Sequence, residues 1–347
     1  MRRWPRSTAR RVDHVHDRDQ LRSTVAGIAG PGVADAYAVL ALRMVGARPE
    51  TGDVIPMDLP AKTYDAEVTG GTLRVLSWGD GPRPVLAVHG ITANATCWLA
   101  VARALPDDCQ LFAVDLRGRG HSAALPGPYG FDQHVADLRD AVRALGLDRP
   151  VLVGHSLGAY LALLAADADP AAFSRLVLVD GGLPVPVPAD ADLDAVLAAS
   201  LGPAVARLTE TYPTPEAYVE FWRGHPALAR DWSSDVEQYA RYDLTGEPGQ
   251  LRSRVAAEAV RTDSRDLLTS GERLAAALGR LTGRTPLLRA PAGMFGQPPG
   301  LITEELAAYW QARTPALQVQ TIPATNHYTI LFSPAAVAAV ATELTRD

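Results

Sequence analysis

Val151-Leu152-Val153-Gly154-His155-Ser156-Leu157-Gly158 is the stretch on which the reading of this chain turns. An apolar, β-branched run enters Gly-x-Ser-x-Gly, and beyond it Leu157, Tyr160, Leu161 and Leu164 recur at helical spacing. The pattern predicts a strand that turns sharply into a helix. A residue held in such a turn takes a strained backbone angle, and small residues on either side let strand and helix approach closely. Ser156 is thereby pushed out at the end of the strand, in the position of a nucleophile.

Working outward, strands are expected at Tyr64 to Val68 and Leu73 to Trp78, joined at Gly70-Gly71 as a hairpin. Pro84 to His89 is nearly all apolar, as a strand covered on both faces should be. Helices marked by Trp98, Val101, Ala102 and Leu105, and by Val135, Leu138, Val142 and Leu145, then alternate with strands at Leu111 to Val114 and Leu176 to Val179. Such alternation predicts an α/β architecture with a mostly parallel, doubly wound sheet. The rhythm stops at Gly181-Gly182. Residues 183–284 carry helix-like patterning, as at Leu193 to Leu201, Glu216 to Trp222, Asp235 to Arg241 and Leu251 to Leu281, with no convincing strand. Strands return at Pro286 to Arg289 and Leu317 to Ile322, and a closing helix carries Val337, Val340 and Leu344. The expected organisation is an N-terminal extension over 1–60, a core of 61–182 and 285–347, and a helical insertion over 183–284.

Bulk properties narrow the function. The 347 residues suffice for one large domain with an insertion, and 47% apolar with 21% charged residues is ordinary globular composition. A net charge of −6, without a basic stripe interleaved with aromatics, argues against nucleic acid as a partner. Five arginines among the first eleven residues are followed by Asp13, His14, His16, Asp17, Arg18 and Asp19 rather than an apolar run, which argues against an export signal. Val25 to Val45 is interrupted by Asp35, Arg43 and Gly30-Pro31-Gly32, so no membrane span is expected. Cys97 and Cys109 have no zinc-like spacing and form no disulfide framework. A cytoplasmic protein with neither metal nor cofactor is the expectation, and the sequence leaves homo-oligomerisation open.

A serine hydroxyl needs a base to take its proton and a third group to orient that base. Of eight histidines, His327 lies just past the last strand, where a loop at the carboxyl edge of the sheet reaches toward Ser156. His89 and His155 suit local packing and hydrogen bonding better. His89-Gly90, the run Asp115-Leu116-Arg117-Gly118-Arg119-Gly120-His121-Ser122, Gly154 to Gly158 and the late His327 together resemble the α/β-hydrolase fold family over residues 62–182 and 284–347. The insertion resembles the helical cap of many members. The resemblance implies an oxyanion hole from the backbone N–H groups of Ile91 and Leu157.

Most members of that family place an acid after the seventh strand, but Arg289-Ala290-Pro291-Ala292-Gly293-Met294-Phe295-Gly296-Gln297 holds no carboxylate. Asp180, at the end of the sixth strand, matches the position that thioesterase-like members use. Glu304 and Glu305 are the fallback, although they read as a first helical turn. Aromatics of the insertion, Trp222 among them, with Trp98, Met294 and Phe295, are expected to wall a mostly apolar substrate pocket. The expected activity is serine-dependent hydrolysis of a small-molecule carboxylic ester, lactone or thioester through an acyl-serine. A ligand receptor, a lyase or an acyltransferase on the same fold is the alternative.

Overall fold

Val85 and Ala87 face one side of their strand and Leu86 and Val88 the other, and all four are fully buried. The apolar run from Pro84 is therefore a central strand with helices on both faces, which is what removes the usual apolar and polar alternation. The computed structural model describes residues 62–187, 192 and 207–346. The extension over 1–60 and the helix expected from Leu193 to Leu201 lie outside the described residues.

The strands are β1 (Lys62–Val68), β2 (Gly71–Trp78), β3 (Arg83–Val88), β4 (Cys109–Val114), β5 (Val151–His155), β6 (Arg175–Val179), β7 (Leu244–Thr245), β8 (Arg252–Ser253), β9 (Thr285–Arg289) and β10 (Leu317–Thr321). The helices are α1 (Leu99–Ala104), α2 (Phe131–Ala144), α3 (Leu157–Ala168), α4 (Pro215–Arg223), α5 (Ser234–Tyr242), α6 (Ala257–Thr269), α7 (Gly271–Gly279), α8 (Glu304–Arg313) and α9 (Pro334–Thr345). One eight-stranded sheet runs β1-β2-β4-β3-β5-β6-β9-β10, antiparallel over β1-β2-β4 and parallel from β4 onward. The hairpin pairs Val68 with Gly71, so its turn residues are Thr69 and Gly70, one position earlier than the sequence suggests.

Helices α2, α3, α7 and α8 cover one face, while α1 and α9 cover the other. The chain passes from β3 outward to β4 and then back to β5 on the opposite side of β3. A reversal of this kind opens a crevice at the carboxyl ends of the two strands that flank it. His89-Gly90 leaves β3 and Ser156 leaves β5 at that crevice, with Val88 paired to Gly154 one step below it.

Between β6 and β9 the described residues form α4 to α7 and the short antiparallel ribbon β7-β8. The ribbon departs from the strand-free reading of this segment; two residues per strand are too few to leave a period in the sequence. The single run expected over Leu251 to Leu281 is broken into α6 and α7 at Ser270, where the backbone leaves helical geometry. Thr214 and Ser233 cap α4 and α5 by accepting hydrogen bonds from the N–H groups of Ala217 and Val236.

Candidate active site

Ser156 sits at φ 55° and ψ −123°, outside the regions that non-glycine residues ordinarily occupy. Its flanking residues are small because backbone fills the space beside them. A Cβ on Gly154 would lie 2.0 Å from the carbonyl oxygen of Gly158, and one on Gly158 would lie 2.1 Å from that of Val88. The Ser156 N–H donates to the Val179 oxygen at 3.0 Å, tying the turn to β6.

Asp180 ends β6 in a second left-handed conformation, φ 45°, and its N–H donates to the Leu288 oxygen at 2.7 Å. One carboxylate oxygen accepts the Ala290 N–H at 3.0 Å, and the other faces His327 Nδ1 at 2.7 Å. With Nδ1–H donating to Asp180, His327 Nε2 is left as an acceptor, and it stands 3.0 Å from Ser156 Oγ. The structure thus brings Ser156, His327 and Asp180 into one chain of hydrogen bonds. Glu304 and Glu305 open α8, where Glu304 meets Arg289, away from the His327 contacts.

Two further histidines brace this arrangement. The His155 Nε2–H donates to the His327 carbonyl oxygen at 2.9 Å, and the two rings lie 4.7 Å apart. His89 Nε2 accepts the Leu116 N–H at 3.0 Å, so its Nδ1–H is the donor to the Gly90 oxygen at 2.7 Å. Burial holds both imidazoles neutral: His89 is lowered to about 3, and His155 also lies well below its ordinary value. Nearby, Asp115 accepts from the Ala95 and His121 N–H groups, each at 2.8 Å, and from the Tyr242 hydroxyl at 2.7 Å. Burial outweighs these contacts and pushes its carboxyl up to about 6.

Ile91 and Leu157 both face the crevice beside Ser156, Leu157 as the first residue of α3. Neither N–H makes a hydrogen bond among the described residues, so two donors remain open next to the hydroxyl, one of them at a helix N-terminus. Gly90 makes the approach possible, since a Cβ there would stand 3.1 Å from that of Ser156.

A cavity of about 140 Å³ opens over Ser156 and His327. Its apolar wall includes Ile91, Ala93, Leu157, Leu267, Leu268, Met294, Leu301, Leu331 and Phe332, and Tyr239, Tyr328, Cys97, Thr92, Ser264, Gly90 and His155 also line it. Among the described residues it has no Lys, Arg, Asp or Glu in its lining. Met294 lies where the sequence suggests. Trp98, Trp222 and Phe295 do not line the cavity: Trp98 is fully buried under β3 and β4, and Trp222 packs among Tyr218, Phe221, Tyr239 and Tyr328 beneath the Arg207 guanidinium. Phe295 stacks on His225, 6.0 Å between rings. Tyr239 of α5 is an insertion aromatic that does line the wall as expected, whereas Leu267 and Leu268 of α6, and Tyr328 next to His327, are wall residues that the sequence did not single out. Only the last has a signal in the sequence, its position beside the candidate base.

No group of three or more His, Cys, Asp or Glu side chains among the described residues is arranged to hold a metal ion. No helix among them is long and apolar enough to cross a membrane.

Similarity to known proteins is widest at the level of structure. The chain is 23% identical to an E-2-(acetamidomethylene)succinate hydrolase, with a TM-score of 0.68 over 82% of this chain and 99% of that one. Against the thioesterase domain from the curacin biosynthetic pathway it is 22% identical, with a TM-score of 0.62 over 82% and 98%. At the level of sequence, 106 residues are 41% identical to the N-formylmaleamate deformylase of Pseudomonas putida, covering 30% of this chain and 40% of that protein. A putative carbamate hydrolase, RutD, of Klebsiella pneumoniae is 39% identical over 107 residues, with the same two shares. The matched segment thus spans less than half the length of these two relatives. The model of the alpha/beta hydrolase family matches residues 85–340, which include Ser156, Asp180 and His327. With that match over the larger part of its length, and with the sheet order and strand-to-helix turn described above, the chain belongs to the alpha/beta hydrolase family.

Proposed function

We propose that the protein hydrolyses the acyl bond of an uncharged, mostly apolar ester, lactone or thioester through an acyl-Ser156 intermediate, with the segment between β6 and β9 acting as a cap. The observation that carries this reading is the hydrogen-bonded series from Asp180 through His327 to Ser156, opening into a cavity that has no charged wall residue among the described residues. His327 Nε2 takes the Ser156 proton as Oγ attacks the carbonyl carbon. Asp180 fixes the imidazole tautomer and stabilises the imidazolium that forms. The negative oxygen is met by the Ile91 and Leu157 N–H groups, which need no reorganisation. His327 then protonates the leaving group, and a water activated by the same nitrogen releases the acid.

The wall chemistry supports an uncharged acyl group, because a carboxylate placed there would lose its hydration without a partner. The size supports a short one. A cavity of this volume is close to one that encloses a benzene ring, which corresponds to roughly six carbons. Cleavage of a C–N acyl bond is the second reading, favoured by the deformylase and carbamate hydrolase among the sequence relatives.

The test is labelling by a fluorophosphonate probe, followed by a series of p-nitrophenyl esters and the matching amides. Labelling at Ser156, a burst of nitrophenol and a maximum in kcat/KM near about four to eight acyl carbons are expected. Turnover of amides alone would select the C–N reading. Labelling without turnover of any ester, lactone, thioester or amide would overturn hydrolysis in favour of a receptor.

A further inference from the structure

The Ile91 N–H lies in the Gly90–Ile91 peptide, whose carbonyl accepts from the His89 Nδ1–H at 2.7 Å and the Ala93 N–H at 3.2 Å, so what remains to be fixed at Ile91 is the next peptide, at its own carbonyl. Arg119, fully buried on the loop after β4, donates from Nε to the Ile91 carbonyl oxygen at 3.0 Å and from Nη1 to the Arg117 oxygen at 2.9 Å. Its remaining nitrogen is ion-paired at 2.5 Å with Asp263, which is also fully buried and lies on α6 of the inserted segment. Asp263 in turn accepts from the Gly130 N–H at 2.9 Å and meets His134 Nε2 of α2 at 3.0 Å. Burial alone would raise the Asp263 carboxyl, but Arg119 and His134 outweigh it and hold the group below the usual carboxylate value. The backbone repeats the link, since the Ala256 N–H, just before α6, donates to the Gly118 oxygen at 2.8 Å.

We propose that Arg119 and Asp263 are positioning residues that make the oxyanion donor at Ile91 depend on the inserted segment. The inference rests on the acyl-Ser156 reading above. A guanidinium is suited to the task because its planar group can hydrogen-bond the Ile91 carbonyl through Nε while its Nη2 stands against the Asp263 carboxylate as an ion pair without hydrogen-bond alignment. A lysine ammonium can keep the charge for Asp263 without reproducing that arrangement. Arg117, the other arginine of the loop, is spent differently: it forms a two-point pair with Asp137 and donates to the Thr69 and Pro126 carbonyls, bracing the loop from the far side.

The experiment compares wild type, Arg119→Lys and the double variant Arg119→Met/Asp263→Asn, which removes both charges together and so leaves no unpaired ion in the interior. Three quantities are read for each: the second-order rate of fluorophosphonate labelling, kcat and KM on the preferred ester, and Tm. Because a small displacement of a catalytic group can lower the rate by up to about a hundredfold, the expected result is a ten- to hundredfold fall in labelling rate and kcat, with KM changed less than about threefold. Arg119→Lys keeps its ion pair, so its Tm should stay near that of wild type while its kcat falls. Labelling at the wild-type rate per folded molecule in Arg119→Lys, whatever the Tm of either variant, would reduce the ion pair to a structural role and overturn the proposal. Failure of the acyl-Ser156 reading is distinct, because wild type itself would then go unlabelled.

Discussion

Ser156 and Asp180 share an uncommon feature: each is a non-glycine residue with positive φ, each follows directly on a strand of the parallel sheet, and each donates its N–H to the next strand over. Ladder hydrogen bonds thus continue one residue beyond β5 and β6, and they hold backbone conformations that would otherwise relax. Strain at these two positions sets the directions from which hydroxyl and carboxylate meet His327. Replacing Asp180 by Asn is nearly isosteric and keeps an acceptor for the Ala290 N–H, so the fold should survive. The amide cannot stabilise an imidazolium, and it can force the wrong imidazole tautomer. Asp180→Asn should therefore lower kcat by about three to four orders of magnitude with Tm little changed, measured by ester turnover and thermal melting. Turnover near that of wild type would mean that Asp180 neither orients nor stabilises the catalytic imidazole.

At the scale of elements, the first turn of α3 meets β5 and β3 through backbone as well as through side chains. The first turn of α3 lies so close to β3 that a methyl on Gly158 would sit 2.1 Å from the Val88 oxygen and 2.7 Å from that of His89. No rotamer relieves a clash between two backbones, so Gly158→Ala should destabilise by about 3 kcal/mol or more, or prevent folding. Gly279→Ala is the matched comparison, because nothing lies within 4 Å of the added methyl at the end of α7. It should be neutral, or stabilise by up to about 1 kcal/mol in a denaturant titration. This difference explains what was legible in the sequence. Close backbone approach demands glycine whatever surrounds it, so the turn around Ser156 could be read from five residues, and the place of His327 followed from strand order. The missing carboxylate in residues 289–297 led to Asp180 through the resemblance, because thioesterase-like members take their acid from the end of the sixth strand. Trp98 and Trp222 were not legible as core residues, because an aromatic at helical spacing looks the same whether it faces a cavity or a neighbouring helix. Which of the two it faces is fixed by contacts between elements far apart in the chain, such as the one between Arg207 and Trp222.

For the described molecule as a whole, the buried imidazoles make stability a function of pH. His89 is lowered to about 3, His225 to about 4 and His155 well below its ordinary value, in each case first by burial. All three bind protons in the unfolded chain below about pH 6.5 but not in the folded one, so the stability they lend is present above that pH and is lost as pH falls toward 4. Asp115 has the opposite sign. Its folded value of about 6 exceeds its unfolded one, so its contribution is present at low pH and lost as pH rises through 6. By pH 5, His89 and His225 cost about 2 kcal/mol each, and protonated Asp115 offsets about 1 kcal/mol. Tm should therefore fall steadily between pH 7 and pH 4. Replacing His225 by Phe should flatten that slope, whereas a Tm independent of pH over this range would contradict the assignment of neutral buried imidazoles.

The loop after β9 has a different kind of consequence. It is anchored where the Gly300 backbone presses against Ala290, with space for no Cβ beyond 2.1 Å from the Ala290 oxygen, and it places Met294 in the cavity wall. In the proposed mechanism Asp180, at 2.7 Å from His327 Nδ1, supplies the acid, and the stretch from Pro291 to Gln297 holds no carboxylate to compete with it. The residues proposed for the chemistry lie outside this loop, so it can vary the wall at Met294 without touching them, whereas Ile91 and Leu157 serve as wall and donor at once. A library varied only over residues 291–297 should therefore change substrate preference while every member keeps Ser156, His327 and Asp180 and is still labelled by the fluorophosphonate.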